Sequence, residues 1–170
     1  MVRVAPQDRL QPSLLDRLTD DDPGTRTEAR DVHVLSLNEL RQCVLRDLSW
    51  LLNTGNLEAL VDLEDYPLVA ASTLNYGIPH LAGTQASSVE VRDMERRLKQ
   101  AIIRFEPRIL AETIKIELSL GRGLFGHNAL TFLIEGMLWA EPVPWHLYLK
   151  TEVDLEMGTF VVQEHAGRDE

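Results

Sequence analysis

Apolar residues recur at helical spacing through the first two thirds of the chain and then switch to strand spacing. Leu14, Leu15 and Leu18 share one helical face just after Pro12, whose missing donor costs little at a helix start, so a short amphipathic arm is predicted. Residues 19–34 follow, with Asp20, Asp21, Asp22, Pro23 and Gly24 in succession, a stretch too polar to bury much that reads as a linker. Ser36 and Glu39 form a capping box. Leu37, Leu40, Val44, Leu48, Leu51 and Leu52 then keep helical register until Asn53, Thr54 and Gly55 break it. A looser acidic segment over 57–64 leads to Tyr66-Pro67, a short helix around Val69 to Ser72, and a loop over 77–83 that holds Pro79. Ser87 and Glu90 repeat the capping box before the stripe Val91, Met94, Leu98, Ala101, Ile102 and Phe105, with Glu95 and Lys99 paired outside it and Pro107 as the stop.

After Pro107 the period becomes 2. Leu110, Ile114, Ile116, Leu118 and Leu120 face one way, and Thr113, Lys115, Glu117 and Ser119 the other, which predicts a strand. Leu130 to Leu138 and Trp145 to Leu155 alternate in the same way. Gly158 turns the chain into a fourth strand at Phe160 to Val162, ahead of a polar tail expected to be disordered. Helices first and strands afterwards predict an α+β fold, with helices on one face of a small antiparallel sheet of three to four strands. The expected organisation is an arm and linker over 1–35, a domain over 36–163 and a tail over 164–170.

Charge and cysteine content narrow the function. The 170 residues carry 27 acidic against 17 basic side chains, net −10, which disfavours nucleic acid and anionic membrane surfaces as partners. One cysteine, Cys43, excludes an internal disulfide framework and suits a reducing compartment. No apolar run reaches the roughly 20 residues of a membrane span, and residues 1–9 lack an apolar signal core, so a cytoplasmic location is expected.

Chemical motifs are weak. Gly121-Arg122-Gly123-Leu124-Phe125-Gly126 matches the dinucleotide pattern, but strand-period residues follow it where a helix N-terminus would have to meet the pyrophosphate, so it reads as a hairpin loop. His33, His80, His127, His146 and His165 are scattered without metal-ligand spacing. Cys43 flanks a leucine stripe and reads as a packing residue. No catalytic residue, metal or cofactor is expected. Glu106 is the exception worth weighing, because an anion at a helix C-terminus opposes the macrodipole and Pro107 and Arg108 follow at once. One reading is a surface pair of Glu106 with Arg108 worth under about 1 kcal/mol. The other is a charged pair offered to a partner, in which case charge reversal should leave the unfolding midpoint nearly unchanged.

Four segments in order resemble the TssE-type baseplate proteins of bacterial type VI secretion systems, relatives of a contractile-phage wedge protein once regarded as lysozyme-like. They are the arm Pro12 to Leu18, the helix Leu45-Arg46-Asp47-Leu48-Ser49-Trp50-Leu51-Leu52-Asn53-Thr54, the loop Ser72 to Pro79, and Phe105-Glu106-Pro107-Arg108. The resemblance implies a non-catalytic wedge subunit bound to TssF, TssG and TssK that seeds a sheath of TssB and TssC by pairing strands. It marks Glu106, Pro107 and Arg108, the arm leucines Leu14, Leu15 and Leu18, and Asn75, Tyr76 and Gly77 as partner-binding. A peptidoglycan hydrolase with Glu106 as general acid is the alternative, and it needs a second carboxylate about 5–9 Å away across a sugar-sized cleft. A generic adaptor domain is the third reading.

Overall fold

Ser36 starts the central helix as expected: its hydroxyl accepts from the Glu39 amide while the Glu39 carboxylate accepts from the Ser36 amide at 2.7 Å. The computed structural model describes residues 13–19, 24, 36–80, 88–119, 129–139 and 144–165. Helix α1 spans Leu14–Leu18, α2 Leu37–Leu52, α3 Pro67–Ala70 and α4 Ser88–Phe105. Strands β1 (Lys115–Ser119), β2 (Ala129–Leu138), β3 (Trp145–Asp154) and β4 (Phe160–Glu164) form one antiparallel sheet in sequence order. The fold is α+β, with four helices ahead of a four-stranded meander among the described residues.

The leucine stripe of α2 and the Met94, Leu98 and Ile102 stripe of α4 pack on one sheet face against Phe132, Ile134, Leu138, Leu147, Leu149 and Val153. Each fully buried side chain of this size stabilises by about 2 kcal/mol, so the two periodic stripes account for why both helices lie on the same face. Val44, Leu48, Ile102, Phe132, Leu138 and Val153 have no exposed surface.

Three expectations are corrected. The strand predicted from Leu110 begins only at Lys115, because Ala111–Thr113 forms a 3-10 turn. Leu110 donates to the Met137 carbonyl, and the Thr113 hydroxyl donates to Leu110 O and accepts from the Met137 amide, so side-chain bonds replace the ladder there. The short helix lies at Pro67–Ala70 rather than at Val69 to Ser72, since Pro67 supplies the preset first-turn φ. Glu95 does not pair with Lys99; its carboxylate accepts the Leu118 amide of β1 at 2.9 Å. The Ser87 cap, the glycine-rich segment 121–126 and most of the arm and linker lie outside the described residues, as does the tail beyond His165.

Asn53, which ends α2, also closes part of a sheet edge. Its amide donates to Phe160 O and accepts from Phe160 N, both at 2.9 Å, standing in for a neighbouring strand. Asn53→Ala should cost about 2 kcal/mol by stranding both groups. Urea denaturation reads that loss, and faster exchange of the Phe160 amide locates it.

Candidate docking surfaces

The end of α4 holds a chain of alternating charges. Glu106 donates its backbone N–H to Ile102 O, closing the helix, and its side chain turns inward to 3% exposure. Its Oε1 accepts Arg108 N–H at 3.2 Å and Arg108 Nε at 2.6 Å, and its Oε2 accepts Arg108 Nη2 at 2.5 Å. The same Nη2 donates to Asp47 Oδ2 on α2 at 2.5 Å. Asp47 Oδ1 in turn accepts Arg46 Nε at 2.9 Å, and Arg46 Nη1 reaches Asp16 of the arm at 2.6 Å. Burial works against the Arg108 charge, yet the bonds and charges of Glu106 and Asp47 outweigh it and hold the guanidinium firmly protonated.

Glu106 is therefore neither a surface pair nor an open acid. Its two oxygens are occupied by Arg108 and the carboxylate is buried, so on this geometry reversing either charge is expected to lower the unfolding midpoint rather than leave it unchanged. Tyr76 meets Phe105 edge-on, centroids 5.2 Å apart, and its hydroxyl approaches Asp47 O at 3.5 Å. Burial, with the charges of Asp47 and Glu106, raises the Tyr76 pKa. Asn75, 2% exposed, accepts Glu58 N–H at 2.9 Å and donates to Ala70 O at 3.1 Å. Gly77, at φ +114°, sits against Thr54 O. The side chain of Asn75 bonds across the loop and Gly77 lets it close against Thr54, while Tyr76 and Arg108 are partly open and Pro107 is exposed.

The arm is pinned by its polar side. Ser13 caps α1 in a second capping box with Asp16, a signal the sequence reading passed over in favour of Pro12. Burial opposes charge on Asp16, but bonds from Ser13, Arg46 and Cys43 keep its pKa below the ordinary 3.8. Opposite this polar side, Leu14 and Leu18 stand 72% and 75% exposed, with Leu15 about half so. Because the folded-state pKa of Asp16 is depressed, its contribution to holding the arm is complete above pH 3.8 and is lost as pH falls through the lower folded value. Cys43 beside it has its thiol pKa raised, by burial first and by the Asp16 charge second. Alkylation of Cys43 by iodoacetamide should accordingly be slow at neutral pH, and Asp16→Asn should accelerate it by at least about threefold through both a lower thiol pKa and a looser arm.

The sheet edges differ. On β1 the outward Leu118 amide is taken by Glu95. On β4 the bonds Asp154 N to Thr159 O and His165 N to Tyr148 O mark the positions that bond β3, so Phe160, Val162 and Glu164 turn their backbone groups outward. Asn53 fills Phe160, whereas the outward groups of Val162 and Glu164 have no hydrogen-bond partner among the described residues.

The family model of baseplate wedge protein gp25 matches residues 38–143, more than half of the chain, including α2, the 54–80 loop, the Glu106–Arg108 corner and β2. The chain belongs to this gp25 wedge family. Membership makes it a structural component of a phage-like baseplate, working beside other baseplate proteins. A crystal structure from Geobacter sulfurreducens, described as a candidate tail lysozyme, is 12% identical to this gp25-family chain over 79% of its length and all of the other, with a TM-score of 0.45. No curated protein matches it significantly. Among the described residues, no cluster of metal-ligating side chains occurs and no helix is long and apolar enough to cross a membrane.

The residues missed from sequence are Asp47, Arg46 and Asp16. Asp47 and Arg46 lay inside the recognised α2 segment, but their partners are distant in sequence: Asp47 to Arg108 spans 61 positions.

Proposed function

We propose that this chain is the TssE-type subunit of a type VI secretion baseplate, a non-enzymatic cytoplasmic part that joins a wedge with TssF, TssG and TssK and starts a sheath of TssB and TssC. The observation that carries the reading is the outward edge at Val162 and Glu164, unfilled among the described residues, which an incoming strand can extend through main-chain bonds alone. The arm leucines support it, since an apolar face turned away from its own domain fits a helix-in-groove contact with a wedge component. Pro107, Arg108 and Tyr76 give the corner its outer surface, and Glu106, Asn75 and Gly77 serve docking by fixing the shape of that corner and loop.

The two surfaces separate in an experiment. Leu14→Asp with Leu18→Asp should abolish co-purification with TssF and TssG while leaving the unfolding midpoint in place. Val162→Pro, which removes one outward donor, should keep that co-purification and lose seeding of TssB–TssC sheaths seen by electron microscopy. Normal seeding by Val162→Pro would refute the strand-pairing role.

The hydrolase reading is not favoured at Glu106. A sugar oxygen cannot reach a carboxylate that is 3% exposed and bonded at both oxygens by Arg108.

A further inference from the structure

A polar cleft of about 160 Å³ opens between α4 and the 54–80 loop, away from both the arm and the β4 edge. One wall is the solvent face of α4, where Arg96, Arg97, Gln100 and Arg104 line up; the opposite wall carries Glu58 and Asn75. Asp93, one turn back, accepts from both Arg96 and Arg97, so a single carboxylate is shared between two guanidiniums. Arg104 is tethered across the cleft mouth by one bond, Nη1 to Ala70 O at 2.6 Å. Each guanidinium has five donors, so most of those on Arg96, Arg97 and Arg104 have no bond among the described residues. The carboxylates at hand, Asp93 and Glu58, number one fewer than the arginines.

Two exposed leucines lie on the segments that approach the cleft, outside its lining. Leu74, beside Asn75 in the 3-10 turn Thr73–Asn75, is 71% exposed, and Leu68, on the helix whose Ala70 holds Arg104, is 85% exposed. A concave basic spot on a chain of net charge −10 selects its occupant twice over: the surrounding field repels extended polyanions, and the spot itself takes a local one. The volume admits a short side chain or two and excludes a helix. Fork-shaped donors match carboxylates in bidentate geometry, and the leucines match an apolar neighbour of the acid.

We infer that this cleft receives an acidic segment of a partner protein, its carboxylates bonded by Arg96, Arg97 and Arg104 and its apolar residues resting on Leu68 and Leu74. The site is independent of the baseplate partners proposed above and stands whether or not those are correct.

Fluorescence anisotropy of a short labelled peptide of alternating acidic and leucine residues, titrated with the full chain at low salt, tests it. Saturable binding is expected, and Arg96→Glu with Arg97→Glu should weaken it by at least about tenfold. Gln100→Trp, which fills the cleft without altering charge, should weaken it similarly and keep the parental unfolding midpoint, because that side chain is exposed on the helix surface and bonds nothing among the described residues. A peptide with serine in place of leucine should bind less tightly. The inference is overturned if no saturable binding occurs, if Gln100→Trp binds like the parent, or if inorganic phosphate or a single-stranded oligonucleotide displaces the peptide at equal charge concentration.

Discussion

Arg108→Ala is expected to lower the unfolding free energy by about 3 kcal/mol, because it leaves the Glu106 carboxylate buried without the group that bonds both its oxygens. For a chain of this size that corresponds to a fall of about 6–12 °C in the thermal midpoint. The same change also deprives Asp47 of its link to the end of α4. Glu106→Leu with Arg108→Met should recover part of the loss, since apolar groups of similar volume need no hydrogen-bond partner. Calorimetry on the two variants separates this from a purely surface role, in which Arg108→Ala would unfold with the parent.

Gly77→Ala should be at least as severe, costing about 3 kcal/mol or more. At φ +114° an L side chain is strained, and the added carbon would lie 2.2 Å from Thr54 O. That oxygen cannot retreat, because it accepts the Ile78 amide at 2.9 Å while Ile78 O accepts the Asn56 amide at 3.1 Å. These two bonds make the small parallel bridge Gly55↔Ile78 that ties the loop to the end of α2. Gly158 offers the control: its φ of +69° lies in the left-handed region that asparagine tolerates, so Gly158→Asn should cost under about 1 kcal/mol. Urea midpoints for both, with exchange of the Asn56 amide for the first, check the contrast.

The elements were legible wherever burial alone sets the pattern. The α2 stripe, with its Ser36 and Glu39 box, and the alternation in β2 and β3 reflect which face meets the core, a property written in neighbouring residues. Leu110 misled because its alternation continues into the strand while its backbone is diverted by Thr113. Polar partnerships were less legible. Glu106 was visible as an anion in an unfavourable place, but the Asp47 end of its network comes from another helix. Asn53 looked like a helix terminator and is one; that its amide also fills a strand edge 107 positions away is a tertiary fact with no local trace. Glu95 similarly had a plausible helical neighbour and chose a strand amide instead.

The ionic chain that ends at Asp16 has a mechanical consequence. Asp16 is its terminal link, and when it lets go Arg46 keeps Asp47, stacks on Trp50 at 4.9 Å, and leaves the Arg108 pairings untouched. Loss of that link therefore loosens the hold of the arm on α2 while the ion pairs of the body stay in place, much as a mooring line is cast off without disturbing the bollard.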